Sequence, residues 1–179
     1  MPPDDSRRGA TRALPRLLLV LAAALLVARV ATGLYESRHA PATSERVSGE
    51  RVTWEQPAAG EARARATGVP LLYEFSAEWC GPCHRMQEEV FSDAEAAATI
   101  NRLYVPVRLV DRQREEGRNP PDVAALEARY RIEAFPTLVI VPTDGSQPTV
   151  IEGYPGKDAL VRQLDETAAR LRLSHGLVH

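Results

Sequence analysis

The sequence predicts an α/β domain in which helices cover both faces of a central mixed β-sheet. Apolar, strand-like segments alternate with amphipathic helical segments along most of the chain, as they do in βαβ units. The last two strand candidates follow each other across one short turn, which adds an antiparallel hairpin. At 179 residues, with 44% hydrophobic and 26% charged residues, the chain can form one core and has room for an appendage.

The predicted elements follow the order β-α-β-α-β-β-α, and a short helix at 58–68 precedes them. The strand candidates are apolar runs at 69–77, 104–111, 137–142 and 149–153. The helix candidates have helical apolar spacing at 81–103, 122–132 and 156–173. A new N-cap is expected at Ser92-Asp93 inside the first of these helices, and Asp122 is expected to cap the second. Val52–Trp54 is a candidate for one further strand.

The amino-terminal residues have the pattern of a membrane-targeting segment. An arginine-rich stretch precedes the unbroken apolar run Leu17–Ala28, which reaches the ~20 residues of a membrane span when it is continued to Tyr35. Ala31-Thr32-Gly33 is only a fair match to a cleavage site, so an uncleaved anchor is favoured over a cleaved signal or a buried helix of the soluble core. Arginines are denser before the run than after it, which predicts that the amino terminus lies inside the cytoplasm and the carboxy-terminal bulk outside it.

These patterns divide the chain into five predicted segments. They are a cytoplasmic segment at 1–13, a transmembrane anchor or signal at 14–35, a polar linker at 36–51, the folded domain at 52–173 and a tail at 174–179. The formal net charge of -2 provides no basic field, and no base-stacking aromatic cluster accompanies the arginines. We therefore expect no nucleic-acid partner.

The only two cysteines, Cys80 and Cys83, form a C-x-x-C motif. A disulfide between them closes so short a loop that it adds little stability, which favours a reversible redox role. The following His84 also completes the c-type haem pattern, but the domain offers no well-placed second axial ligand and its strand content is unusual for such proteins. A zinc site with His175 and His179 would need a far longer intervening stretch than a compact zinc finger has. We expect no metal and no cofactor.

The residues around the two cysteines favour disulfide exchange. A buried strand leads into Cys80, and a helix starting at Gly81-Pro82 would place this sulfur at the positive end of the helix dipole. Such a position lowers the pKa of a cysteine thiol from ~8.5 toward ~7, so Cys80 is the predicted nucleophile. Cys83 is expected to be the less exposed of the two and to resolve the mixed disulfide. Glu74 has apolar neighbours, so burial would raise its pKa and let it accept the proton of Cys83; the alternative is an edge-strand glutamate exposed to water.

Over about residues 50–172 the sequence resembles the thioredoxin family. The motif WCGPC after a strand, the motif FPT and the dipeptide GY carry the resemblance. It implies a thioredoxin-like fold in which Cys80 and Cys83 are the redox pair. It also implies that Glu74 replaces the family's buried aspartate and that Pro136 is cis and packs beside the dithiol. The residues that the resemblance places in contact with substrate are Trp79, Gly81, Pro82, Phe135, Thr137 and Gly153.

Three positions depart from the family pattern. His84 replaces the usual lysine or arginine, and Ser76 stands where an aromatic residue is common. The family's lysine near the buried acid has no clear counterpart, since Val107 falls at about that position with Arg108 beside it. The redox potential and any proton relay through a lysine therefore stay open.

Within the superfamily, the stretch from Gly68 to Asp93 is most similar to exported thioredoxin-like domains of bacterial membrane thiol:disulfide interchange proteins. The resemblance implies an enzyme, a membrane-anchored thiol:disulfide oxidoreductase that reduces extracytoplasmic proteins and is recharged by a membrane electron donor. It implies a single-pass protein of the bacterial inner membrane, with its helix in the lipid bilayer and its domain in the periplasm. The Gly-Pro dipeptide resembles that of reducing thioredoxins, whose potential is about -270 mV. The alternatives are a redox-inactive thioredoxin-fold binding or chaperone module and a c-type haem electron carrier.

Overall fold

A computed structural model of the chain describes residues 49–176, and their side chains as far as residue 173. The predicted cytoplasmic segment 1–13, the anchor 14–35 and most of the linker 36–51 lie outside these residues, as do the side chains of the tail 174–179. In the part of the chain that is described, no helix has the length and apolar content of a membrane span. The anchor therefore stays a prediction.

The described residues form four strands and six α-helices, and the strands and five of the helices lie close to the predicted segments. The strands are β1 (Leu71–Ala77), β2 (Val105–Asp111), β3 (Thr137–Val141) and β4 (Thr149–Glu152). The helices are α1 (Pro57–Thr67), α2 (Gly81–Met86), α3 (Ala94–Leu103), α4 (Gln113–Glu116), α5 (Pro121–Tyr130) and α6 (Lys157–Gly176). A π-helical turn over Gln87–Phe91 continues α2.

The four strands form one mixed sheet in the order β2-β1-β3-β4. β1 and β2 are parallel, whereas β3 is antiparallel to both β1 and β4. These pairings confirm the predicted mixed sheet and its hairpin. β1 is an inner strand, and all of its residues are buried. The candidate strand at Val52–Trp54 is wrong, because these residues form no strand and only the next residue, Glu55, makes a single bridge to Val107.

Helices cover both faces of the sheet, and an apolar cluster fills each interface. The first cluster joins the sheet to α1 and α5, and its β1 members are Leu71, Tyr73 and Phe75. The second cluster joins the sheet to α2, the π-helical turn, α3 and α6, and its β1 member is Leu72. Because side chains alternate along a strand, Glu74 lies on the same side as Leu72.

The helix starts agree with the predictions in one case and differ in another. Asp93 is the N-cap of α3, where its Oδ1 accepts hydrogen bonds from the N–H groups of Glu95 and Ala96. The prediction that Asp122 caps α5 is wrong. This helix begins at Pro121, whose fixed φ suits a first helical position, and no side chain caps it.

The folded part begins before residue 52, where the sequence interpretation began the domain. Glu50 is buried, and the N–H of Arg51 donates to the carbonyl oxygen of Phe91 at 2.7 Å. Phe91 ends the π-helical turn, so a backbone segment from outside the helix satisfies its carbonyl. The last two residues of the predicted linker are therefore packed structure.

Candidate active site

Cys80 and Cys83 are joined by a disulfide at the start of α2. Cys80 is the N-cap of this helix, and its Sγ accepts a hydrogen bond from the backbone N–H of Cys83 at 3.2 Å. Pro82 lies in the first turn, where its missing N–H leaves no intrahelical bond unmade. A Cys80 thiolate formed on reduction would therefore meet a backbone donor and the positive end of the helix.

Both cysteines are buried in the disulfide form. Cys80 exposes 2% of its surface and Cys83 exposes 5%, so the expectation that Cys83 is the less exposed of the two is wrong. The reason is that Ala77 and Phe135 pack against the pair, while the Sγ of Cys80 is turned toward the helix that it caps. In the disulfide form these contacts therefore cover the sulfur of Cys80.

An aromatic surface with one stacked arginine borders the disulfide. Trp79 is 44% exposed and meets Phe135 edge-on, with 5.9 Å between the ring centroids. Arg114 of α4 stacks over Trp79, with its guanidinium carbon 3.6 Å from the ring centroid. Gly81 and Pro82 are exposed beside them. The sequence interpretation treated the α4 region as a charged loop and missed Arg114.

Phe135, which packs against the disulfide, is followed in the chain by Pro136 and β3. The Phe135–Pro136 peptide bond is cis, which confirms the conformation implied by the resemblance. The hydroxyl of Thr137 donates to the carbonyl oxygen of Ala134 at 2.8 Å. The N–H of Gly153 donates to the carbonyl oxygen of Pro136, also at 2.8 Å. Gly153 has a φ of 75°, which glycine adopts without strain. Contact between these residues and a substrate stays a prediction.

Glu74 lies in the middle of β1 and is 1% exposed. Since β1 is an inner strand, the alternative of a water-exposed edge-strand glutamate is wrong. Burial raises the pKa of Glu74 above its ordinary value, and the nearby Arg108 and Ser76 only partly oppose this shift. This confirms the predicted direction of the pKa. The role of Glu74 as acceptor of the Cys83 proton stays a prediction.

Arg108 links Glu74 to a second buried carboxylate. Its Nε donates to Oε2 of Glu74 at 2.8 Å, and its Nη1 donates to Oε2 of Glu50 at 2.7 Å. The indole N–H of Trp54 donates to the same oxygen of Glu50 at 2.9 Å, and the Trp54 ring lies 4.2 Å from the guanidinium carbon. Ser76 donates a longer bond of 3.3 Å to Oε2 of Glu74. Glu74 therefore belongs to a buried network of one cation and two carboxylates, which we call the Arg108 network.

The sequence interpretation missed the Arg108 network. It placed Val107 near the position of the family's lysine, but Val107 packs into the first apolar cluster on the opposite side of the sheet. Arg108 is the register partner of Glu74 in the parallel pairing of β1 with β2, and this pairing was the signal that could have identified it. No local signal marks Glu50, which lies in a polar stretch of sequence.

A cavity of about 400 Å3 connects the second cysteine with the buried acid. Cys83, Glu74, Arg108 and His84 are among its lining residues. A polar cavity of this size can hold water molecules, which can pass a proton between groups that do not touch. His84 is otherwise an exposed residue of α2, as the sequence interpretation favoured.

The alternative sites receive no support from the described side chains. His175 and His179, the candidate zinc ligands, lie outside these side chains. Within the described residues, no three side chains of the metal-ligating types lie together as a candidate metal site. The haem interpretation needs a second axial ligand in addition to His84, and the histidine candidates for this second ligand also lie outside the described side chains.

Known proteins are similar to this chain across most of its described residues. A family model described as a thioredoxin-like domain matches residues 58–168. Thioredoxin of Mycobacterium tuberculosis is 30% identical over 109 residues, which are 59% of this chain and 80% of that protein. The disulfide bond reductase DsbH of Chlamydia pneumoniae is 24% identical over 131 residues, which are 70% of this chain and 78% of that protein. A solved structure of DsbH oxidoreductase, 21% identical, superposes with a TM-score of 0.58 and covers 75% of this chain and 99% of its own.

Proposed function

The chain belongs to the family of thioredoxin-like domains, and on this premise we propose that it reduces disulfides of client proteins through Cys80 and Cys83. It is a thiol-disulfide oxidoreductase in which the two cysteines alternate between dithiol and disulfide. The observation that carries this function is the Cys80–Cys83 disulfide at the start of a helix, packed against Phe135 and sharing a cavity with a buried acid.

The proposed reaction consists of two exchange steps. The Cys80 thiolate attacks one sulfur of a client disulfide, the other client sulfur leaves as a thiolate, and a mixed disulfide forms. Cys83 then gives its proton to Glu74 through the shared cavity and attacks the sulfur of Cys80. The Cys80–Cys83 bond forms while the second client sulfur leaves as a thiolate. The client gains two electrons, and the chain ends in its disulfide form.

Reduction is the proposed direction of the reaction. The Gly81-Pro82 dipeptide and the relatives named thioredoxin and disulfide bond reductase support it. Each turnover leaves the dithiol oxidised, so a donor has to return two electrons. We assign this role to a membrane electron donor, because the predicted anchor at 14–35 would hold the domain near the bilayer.

The proposed location is the inner membrane of a bacterium, with the amino terminus in the cytoplasm and the domain in the periplasm. The arginine-rich stretch before Leu17–Ala28 supports this orientation, and client proteins with disulfides occur in that compartment. Protease added to cells with a permeabilised outer membrane should digest the domain of the full chain. Protection of the domain until the inner membrane is lysed would contradict the proposed orientation.

Reduction of insulin tests the proposed reaction. The full chain, kept reduced by a small dithiol, should precipitate the insulin B chain, and Cys80→Ser should lose this activity to the level of the dithiol alone. Cys83→Ser should instead accumulate a mixed disulfide with the client, which is visible on a non-reducing gel. Equal rates for the wild type and Cys80→Ser would show that the fold serves binding without redox exchange.

A further inference from the structure

The Arg108 network contains one more carboxylate than it has cations. Glu50 and Glu74 share a single guanidinium, and their side chains are only 1% and 2% exposed. We propose that Glu50 is a positioning residue for the proposed reaction: by sharing Arg108, it leaves Glu74 able to accept the proton of Cys83. This inference rests on the proposed function and adds to it a residue from the segment before α1.

Arg108 donates one hydrogen bond to each of the two carboxylates. It meets Glu74 through Nε and Glu50 through Nη1, so neither carboxylate receives the two parallel bonds of a bidentate pair. A bidentate pair with Glu74 would stabilise the ionised acid more strongly and make it a weaker base. The position of Glu50 therefore limits how far Arg108 holds Glu74 in its charged form.

Aromatic contacts keep the guanidinium in this divided position. The ring of Trp54 lies on the guanidinium, and the ring of Phe91 lies 5.3 Å from the guanidinium carbon. Trp54 also donates its indole N–H to Glu50, so one residue orients both members of the ion pair. Arg108 can turn toward Glu74 alone only by leaving these rings.

One oxygen of Glu50 has no partner. Its Oε1 is buried without a hydrogen bond, while Arg108 and Trp54 both donate to Oε2. A buried ion network of this composition is weak evidence for stability, since well-packed apolar side chains commonly do as well. The arrangement is better explained by the charge that Glu50 adds beside Glu74.

The other carboxylates that line the cavity have cationic partners of their own. Besides the Arg108 network, the ionisable side chains that line it are Glu55, Glu78, His84 and Arg112. Glu55 pairs with Arg63, and Glu78 pairs with Arg112 at 3.1 Å. Among the described residues, Glu50 is therefore the carboxylate that competes with Glu74 for Arg108.

The test uses the full-length reduced protein and the aromatic disulfide dithiobis(nitrobenzoate), which separates the two exchange steps. Attack by Cys80 releases the first thionitrobenzoate, and resolution by Cys83 releases the second. Stopped-flow absorbance gives both rates as a function of pH. In the rate of the second release plotted against pH, we call the rise from low pH the acid limb. In Glu50→Gln, Arg108 faces Glu74 alone and makes it a weaker base. The acid limb should therefore move to lower pH by about one unit, and the maximum rate should fall.

Matched variants distinguish a charge effect from a packing effect. Glu50→Asp keeps the charge and should restore the limb toward the wild-type position. Glu88→Gln removes an equal charge from an exposed residue that is not among those lining the cavity, so it should not move the limb. The first release should be unchanged in all three variants, because the contacts of Cys80 are with Ala77, Phe135 and the N–H of Cys83 and include no member of the Arg108 network.

An unmoved acid limb in folded Glu50→Gln would overturn the inference. If Glu50→Gln does not fold, Trp54→Phe takes its place, since it removes the indole donor to Glu50 and keeps a ring over Arg108. Its limb should move in the same direction by a smaller amount, and an unmoved limb would again overturn the inference. Absence of both releases in the wild type would instead contradict the proposed function.

Discussion

The two sides of β1 are equally buried but are built from different chemistry. On one side, Tyr73 and Phe75 meet the helices α1 and α5 in a mainly apolar cluster, at whose rim the Tyr73 hydroxyl donates to Glu61. On the other side, Leu72 is followed by Glu74 and Ser76, and the apolar packing changes to the Arg108 network near the disulfide. Apolar packing is non-directional, whereas the network requires particular atoms to meet.

The two sides also differ in what their stability depends on, because buried charges have to be desolvated and paired on one side only. The apolar side tolerates substitution by other apolar side chains of similar volume. The polar side is stable only while Arg108 stays between its carboxylates, because removal of one member leaves buried charge without compensation. The adjacent residues Arg108 and Leu109 face these two sides, so substitutions there compare the sides directly.

Arg108→Met should have the largest effect on stability. It leaves Glu50 and Glu74 without their cation, and we expect the free energy of unfolding at neutral pH to fall by about 3–5 kcal/mol. The folded-state pKa of Glu74 then rises further above its unfolded value, so the folded protein binds a proton that the unfolded protein does not. The loss relative to the wild type should therefore shrink as the pH falls through this raised pKa. Urea denaturation at several pH values measures it, and a loss that does not vary with pH would contradict the network.

Leu109→Ala should destabilise the apolar side by about 3 kcal/mol. Leu109 is 1% exposed within the first apolar cluster, so its truncation leaves a cavity with no charged group in it. The titratable side chains in this cluster are Tyr73 and Tyr130, and burial raises the pKa of both above the ordinary tyrosine value, so the loss should be the same at neutral and acidic pH values at which the wild type is folded. The same urea series measures it. A loss that grows with pH would show that the two sides of β1 are coupled.

Ser76→Ala should have the smallest effect on stability and a distinct effect on chemistry. The bond from Ser76 to Glu74 is long, so its removal should cost less than about 1 kcal/mol. This bond lowers the pKa of Glu74, and without it the pKa should rise further above its ordinary value. The acid limb of the Cys83 resolution step should then move to higher pH, opposite to the shift expected for Glu50→Gln. Movement to lower pH would contradict the assignment of this limb to Glu74.

Periodic sequence patterns were sufficient for most of the fold. The apolar run before Cys80 predicts a buried strand, and the alternation of strands and helices predicts the layers, because both depend on residues that are close in sequence. The disulfide partner also follows from the sequence, since only two cysteines exist. The burial of Glu74 between apolar neighbours follows in the same way.

The contacts between distant segments could not be predicted in this manner. The meeting of Arg108 with Glu74 depends on the register of two strands, and one residue of slippage would present Val107 instead. Glu50 enters the site from a polar stretch with no periodicity to mark it. The burial of Cys80 depends on Phe135, which lies far from it in sequence, just before β3.

The packing of Glu50 and Arg51 determines where a recombinant fragment of this protein should begin. A recombinant piece trimmed to the family match at 58–168 would lack Glu50 and Trp54 and would leave the carbonyl of Phe91 without its donor. Its dithiol would still be intact, yet the acid behind it would have Arg108 to itself. Rates measured on such a fragment would then describe a differently tuned catalyst, so expression should start upstream of residue 50.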